Sequence, residues 1–261
     1  MTTTWAIANQ KGGVGKTTTT LALGAELALR GARVLLIDMD PHGSLSRAFG
    51  LPADPQPRGV LELFEHEEAT LLPLVRASEL PRLSFVAAQS ALATLERRNA
   101  TQPGIGRALA AALARDGDAF DHVLLDCSPT LGLLMVNALA AADHLVIPTQ
   151  TEPLAVHGLQ GMWRTARMIE RSRGRALKVS ILPTLFDRRT RLATETLAMI
   201  QDQYGDQAWS EAIPTDTRMC STEDLARQRS ARLQAGRGLA AYRRALDWLL
   251  QPPAVPEEAV A

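Results

Sequence analysis

Ten residues, Asn9–Thr18 (NQKGGVGKTT), constrain this chain more than any other stretch of its 261. They stand between a short apolar run, Trp5–Ala8, and a helical pattern that opens at Lys16. Glycines at 12, 13 and 15 let the backbone curl closely round an anion with its N–H groups turned inward. A helix starting at Lys16 adds its positive N-terminal end. In that setting Lys16 can neutralise the outer phosphates of a nucleotide, and the Thr17 hydroxyl can ligate Mg2+. Strand, glycine loop, Gly-Lys-Thr and helix in this order point to a phosphate-binding loop. Two of the chain's three lysines, Lys11 and Lys16, lie in it.

The remainder of the sequence suits a fold that presents such a loop. Apolar runs at Trp5–Ala8, Arg33–Asp38, Leu83–Ala87, His122–Asp126, His144–Pro148, Lys178–Pro183 and Trp209–Ile213 predict strands. Several, such as Val34-Leu35-Leu36-Ile37, are continuously apolar, as strands buried on both faces of a parallel sheet are. Helical patterns alternate with them at Lys16–Arg30, Ile105–Arg115, Leu131–Ala141, Ala155–Arg171, Thr190–Tyr204 and Gly238–Leu250, and Gly31 reads as a helix stop. The expectation is an α/β fold with a doubly wound, mainly parallel sheet flanked by helices. One domain is expected over 1–250, with a flexible Pro/Glu/Ala tail over 251–261.

Composition narrows the function classes. Hydrophobic residues at 46% and charged residues at 21% exclude intrinsic disorder, and 28 basic residues balance 28 acidic ones. The balance is uneven along the chain, because 164–237 carries 14 basic against 9 acidic residues. Two cysteines, Cys127 and Cys220, cannot form a disulfide framework and suit a reducing compartment. The opening MTTTWAIANQKGG lacks the basic-then-apolar order of a secretory signal, and no run reaches the roughly 20 apolar residues of a bilayer span. A cytoplasmic protein is expected.

Two further segments carry acidic chemistry. Ile37-Asp38-Met39-Asp40-Pro41-His42-Gly43 places carboxylates just past a buried strand, where α/β folds bind ligands. Leu124-Leu125-Asp126-Cys127-Ser128-Pro129 does the same, with Asp126 expected to hold the Mg2+ shell through water. Asp38 is expected to support the loop or that shell. Cys127 reads as a small buried neighbour.

The KGGVGKTT spelling, with Gln10 where the plain phosphate-loop motif has its first glycine, resembles the deviant Walker A motif of the ParA/MinD superfamily of P-loop ATPases. The segment DMDPHGS resembles the family's D-x-D-P-Q-G element, and DCSPTLG its D-x-P-P-x-L-G element. The resemblance implies ATP and Mg2+ as cofactors, with Gly12, Gly13, Val14, Gly15, Lys16, Thr17 and Thr18 round the phosphates and Thr17, Asp38 and Asp126 round the metal. It implies that Asp40 positions or activates the attacking water, and that Lys11 reaches the partner subunit's nucleotide in an ATP-bound homodimer; the alternative for Lys11 is a solvated loop charge. His42 stands where the family has glutamine, a position compatible with a structural role or with an effect on rate. By the same resemblance Phe186, Asp187 and Pro214 flank the adenine, and Arg189 and Arg218 contact DNA without sequence preference. Arg188, Arg191, Arg227, Arg229 and Arg232 are their neighbours. The alternative is that these arginines solvate helices or pair with Glu223 and Asp224, and Thr215 and Asp216 depart from the family loop.

What the resemblance implies is a ParA/Soj-like ATPase with weak intrinsic hydrolysis, associated with the nucleoid. It would position or segregate a cargo that stimulates hydrolysis through a ParB-like or other adaptor. The cargo would be a chromosome or plasmid partition complex, or a protein cluster such as a chemotaxis array, toward which the DPHGS spelling and the altered C-terminal loop lean. With the phosphate loop at residue 9, plasmid types carrying an N-terminal helix-turn-helix are disfavoured. A MinD-like membrane-associated regulator is the alternative; those chains end in a basic amphipathic helix, whereas this one ends DWLLQPP and an acidic tail. Metabolic or signalling enzymes built on the same loop, including tyrosine kinases and Fe–S cluster carriers, are disfavoured by the absence of a tyrosine-rich tail and of paired cysteines.

Overall fold

The apolar runs become strands because both of their faces are covered. The computed structural model describes residues 2–52, 54–66, 68–98, 105–228 and 231–251. Its strands are β1 (Thr3–Ile7), β2 (Val34–Met39), β3 (Arg76–Ala77), β4 (Leu83–Val86), β5 (His122–Cys127), β6 (His144–Gln150) and β7 (Lys178–Thr184). They form one sheet in the order β3-β4-β2-β5-β1-β6-β7, parallel throughout except for the two-residue edge strand β3. The helices are α1 (Lys16–Leu29), α2 (Ser44–Ala48), α3 (Glu62–Glu65), α4 (Leu92–Arg98), α5 (Ala108–Asp116), α6 (Leu133–Ala141), α7 (Pro153–Arg173), α8 (Arg191–Tyr204), α9 (Thr222–Arg227), α10 (Ala231–Gln234) and α11 (Arg237–Leu249).

Alternation along each strand feeds two cores. Leu35, Ile37 and Met39 of β2 join Leu109 of α5, Leu134 of α6 and Leu159 of α7 on one face. Val34 and Leu36 join Leu23 of α1, Leu225 of α9 and Leu246 of α11 on the other. A parallel sheet needs this double cover, which is why its strands read as unbroken apolar runs. Helix α11 buries Leu239, Tyr242, Leu246 and Leu249 in the second core, so its apolar face is not offered to a bilayer. Among the described residues no helix is long and apolar enough to cross a membrane.

The expected helices and strands form, apart from one strand, with ends that shift by up to a few residues: α7 extends two residues further at each end and β6 two residues further at its carboxyl end. Trp209–Ile213 is not a strand: it runs as a loop alongside β7, entered at the bridge Ile181–Ala208 and tied by the bonds from Trp209 N to the Ile181 carbonyl at 3.0 Å and from Ile213 N to the Pro183 carbonyl at 2.9 Å. Trp209 and Ile213 are apolar because both are buried in the second core, whereas Ser210 and Glu211 between them are exposed. The pattern at Ile105–Arg115 opens as a 3-10 turn, Ile105–Arg107, before α5 begins. Leu131 precedes α6, which starts at Leu133 behind Gly132.

Gly31 does stop α1. Its φ of 96° is the left-handed conformation open to glycine, and it brings the Gly31 N–H to the Ala28 carbonyl and the Ala32 N–H to that of Leu27. Of the expected tail over 251–261, only Gln251 lies within the described residues, and Arg229 lies outside them as well.

Candidate nucleotide site

The phosphate loop leaves β1 and enters α1 at the carboxyl edge of the sheet. Gly13 and Gly15 take φ values of 75° and 91°, which an L side chain rarely adopts. A Cβ placed on Gly12, Gly13 or Gly15 would meet no atom within 4 Å, so the loop encloses open space. Gly15 is the N-cap of α1 and supplies no side-chain acceptor, which leaves the first N–H groups of the helix available to an anion.

The loop is held from behind by residues on β6 and β7. Asn9, fully buried, donates from Nδ2 to the Pro148 carbonyl at 2.8 Å and accepts the Lys11 N–H at 3.0 Å. Thr184 Oγ1, at the end of β7, donates to the carbonyl of the buried Val14 at 2.8 Å. Within the loop, Lys16 Nζ donates to the Lys11 carbonyl at 3.1 Å. Thr184 was not singled out in the sequence. The signal for it is its place at the carboxyl end of a parallel strand, the edge where such sheets bind ligands.

Charge converges on the same point. The Thr17 hydroxyl donates to Asp126 Oδ2 at 2.8 Å, and Thr20 Oγ1 to Asp126 Oδ1 at 3.2 Å. Asp38 is fully buried beside it in the register of β2 on β5, and accepts the N–H and hydroxyl of Ser46 at 2.8 and 2.7 Å. Burial pushes the Asp126 carboxyl well above the usual range, with the charge of Asp38 as the next cause; burial raises Asp38 as well. Burial lowers Lys16, against the pull of Asp126. Burial likewise raises the Cys127 thiol, and its Sγ donates to the Leu125 carbonyl at 3.6 Å within the first core, which fits the inert neighbour expected there.

This donor set fits Mg2+: a hydroxyl at the mouth of the loop, an aspartate directly behind it and a second buried carboxylate alongside. A cation at Thr17 favours the ionised form that burial opposes. The hydroxyl-and-carboxylate pair Thr17 and Asp126 would hold the ion, with Asp38 behind them engaged by Ser46. The metal would supply charge neutralisation along the phosphates.

The phosphate pocket, about 620 Å³, is lined by Gly12, Gly13, Gly15, Lys16, Thr17, Thr18 and Asp40, and also by Ser44 and Arg47 of α2 and Thr222 and Glu223 of α9. Sequence reading missed this second group. It offered Glu223 as a partner of arginines, whereas Arg227 pairs with Glu79 and Arg191 with Glu195. Lys11 is half-buried at the rim and turns outward: its Nζ donates to Gln150 Oε1 at 3.1 Å and pairs with Glu152 at 3.3 Å.

The expected adenine and DNA contacts fall together elsewhere. Phe186, Asp187, Arg189, Pro214 and Arg218 line one open groove of about 1030 Å³, which shares none of its lining with the phosphate pocket. Phe186 and Pro214 are held side by side by the bonds from Phe186 N to the Ile213 carbonyl and from Thr215 N to the Phe186 carbonyl, both 3.0 Å. Asp187 is taken by Arg189 at 2.7 Å, and that guanidinium holds the carboxyl down at about 2. Arg218 donates to the Ala235 carbonyl at 2.9 Å.

Comparison with known proteins accords with this geometry. A family model described as an AAA domain matches residues 2–179. The chain is 36% identical over 242 residues to the chromosome-partitioning ATPase Soj of Thermus thermophilus, covering 92% of each. It is 35% identical over 217 residues to the sporulation initiation inhibitor protein Soj of Bacillus subtilis, covering 82% of this chain and 85% of that one. Among solved structures it is similar to a cobyrinic acid a,c-diamide synthase from Mycobacterium smegmatis with bound ATP analogue and magnesium, at 34% identity and a TM-score of 0.81, covering 96% and 95%. ATP and Mg2+ are the cofactors of this chain, as the sequence leads one to expect.

Proposed function

The chain belongs to the Soj/ParA family of P-loop ATPases, and from that premise we propose that it works as a partition ATPase whose cycle runs through an ATP-bound homodimer. The observation that carries this reading is the position of Lys11. Its ammonium group turns away from its own phosphate pocket and lies at the rim on Gln150 and Glu152. A lysine so placed is held off its own phosphate pocket, at the rim where a neighbouring subunit's nucleotide would meet it. A cation supplied in trans at the transferring phosphoryl group acts as an arginine finger does.

Within each subunit the division of labour follows from position. The loop N–H groups and Lys16 bind the phosphates, and Thr17 with Asp126 orient the magnesium. Asp40, on the pocket wall, orients the water that attacks the terminal phosphorus. The water oxygen bonds to phosphorus, the bond to the bridging oxygen breaks with its electron pair leaving on ADP, and the water's protons pass to the released phosphate and solvent. In the dimer the arginines of the second groove, Arg189 and Arg218, contact DNA phosphates, and a cargo-bound adaptor accelerates hydrolysis and release. Action at the nucleoid follows from those contacts.

Sedimentation of the full chain tests the cycle. With ATP and Mg2+, Asp40→Ala is expected to bind nucleotide, accumulate as a dimer and hydrolyse at least about tenfold more slowly than wild type. Lys11→Ala is expected to bind ATP and stay monomeric. Monomers only, for wild type and Asp40→Ala alike at micromolar concentrations with ATP, would overturn the reading.

A further inference from the structure

We propose that His42 is a positioning residue for hydrolysis: its imidazole and its own backbone N–H together hold one oxygen of the Asp40 carboxylate and leave the other to meet the attacking water. The inference rests on the role of Asp40 proposed above. His42 N donates to Asp40 Oδ1 at 2.9 Å, and His42 Nδ1 lies 2.8 Å from the same oxygen. An ionised carboxylate only accepts, so the ring donates through Nδ1–H and leaves Nε2 to solvent.

Two donors on Oδ1 do what one cannot. The terminal torsion of aspartate is broad and nearly free when unrestrained. A single hydrogen bond lets the carboxylate plane swing about it. Two donors from different directions fix the plane and occupy the lone pairs of Oδ1, which leaves Oδ2 with its lone pairs open. Asp40 lines the phosphate pocket and His42 does not, so the histidine stands behind the carboxylate rather than beside the phosphate.

The surroundings exclude a packing role for the ring. The His42 side chain is 81% exposed, and Asp40 is the hydrogen-bond partner that holds it. The turn carrying both residues is itself fixed. The Gly43 N–H donates to the Asp40 carbonyl at 2.8 Å with Gly43 at a φ of 62°. The Arg47 guanidinium closes on the His42 carbonyl and donates to Ser44 Oγ at 3.2 Å. The imidazole is therefore placed by its backbone and serves the carboxylate.

Steady-state phosphate release and nitrogen-edited NMR of the full chain test this. His42→Ala is expected to lower kcat about tenfold, with KM for ATP within about twofold of wild type and an unchanged thermal midpoint. His42→Asn, whose amide N–H falls where Nδ1–H was, is expected to recover most of that loss. Without nucleotide, the ring is expected to be the Nδ1–H tautomer in wild type and to revert to the Nε2–H form in Asp40→Ala. Normal turnover by His42→Ala, a loss in KM instead of kcat, no recovery in His42→Asn, or an Nε2–H ring in wild type would each overturn the proposal. Asp40→Ala assayed alongside separates the failures: normal turnover there removes the role of Asp40, whereas a dead Asp40→Ala with a normal His42→Ala removes only that of His42.

Discussion

His144 shows how one residue's burial sets a property of the whole chain. It sits on β6 opposite Trp5 in register, its ring centroid 4.9 Å from the indole, with Nε2 2.8 Å from Ser180 Oγ on β7. Burial holds its pKa down at about 3, with the neighbouring Lys178 charge adding to the effect. The unfolded chain takes up a proton on this imidazole near pH 6.5, whereas the folded chain does not until about 3. Folding stability therefore falls as pH drops below about 6.5, with a slope of up to about 1.4 kcal/mol per pH unit, and is untouched by this group above it. Urea unfolding at pH 7, 6 and 5 is expected to show a slope about 1 kcal/mol per unit shallower in His144→Gln than in wild type; parallel slopes would contradict it. The sequence marked His144 only as the first residue of a strand. Its partners come from two other strands, so nothing in the linear pattern announced a buried, neutral imidazole. Lys16, Thr17 and Asp126 were legible for the opposite reason: the loop that positions the first two is contiguous, and Asp126 ends an unbroken apolar strand.

Among the elements, α1 links the phosphate loop to the sheet, and Gly24 sets how closely it lies. A Cβ on Gly24 would stand 2.6 Å from Leu36 Cδ2 on β2, and Leu36 is fully buried in a close-packed core, so the pair must shift. Gly24→Ala is expected to destabilise by about 1 kcal/mol, because overpacking of 1–3 kcal/mol exceeds the gain of roughly 1 kcal/mol from alanine inside a helix. In Gly24→Ala/Leu36→Ala the two changes are expected to couple favourably by at least about 0.5 kcal/mol, read from denaturant midpoints; strict additivity would show that the contact is not what sets the spacing. Long elements such as α7, α8 and α11 were legible because several turns of apolar periodicity accumulate over 13 to 21 residues, and α1 because a 14-residue helical pattern follows the glycine loop. The short helices α2 and α9, five and six residues long, gave no such signal, yet they deliver Ser44, Arg47, Thr222 and Glu223 to the phosphate pocket. Trp209–Ile213 misled for a related reason, since its apolar residues belong to a packed loop against β7 and a short apolar segment alone does not separate the two.

At the scale of the molecule, neutral overall charge conceals a separation of sites. The phosphate pocket is lined by Lys16 and Arg47 against Asp40 and Glu223, while the second groove sets Arg188, Arg189, Arg218, Arg237 and Arg244 against Asp187, Glu211 and Asp216. The arginines of that groove are not equivalent. Arg189 is closed on Asp187 through two donors, and Arg244 on Glu211; the Arg218 guanidinium instead donates to a neutral carbonyl, that of Ala235, and the carboxylate of Asp216 acts on it through charge alone. A phosphate must displace a carboxylate at Arg189 and only a carbonyl at Arg218. If the groove holds DNA, Arg218→Glu is expected to weaken binding more than Arg189→Glu does. Because a dimer presents the residue twice, losing it removes about two phosphate contacts and flattens the slope of log K against log salt by roughly 2. Anisotropy titrations of a labelled duplex between 50 and 200 mM salt, with ATP present and the dimer verified by sedimentation, measure both quantities. Equal losses for the two substitutions, or an unchanged salt slope in Arg218→Glu, would place the DNA contacts on a different face of the dimer.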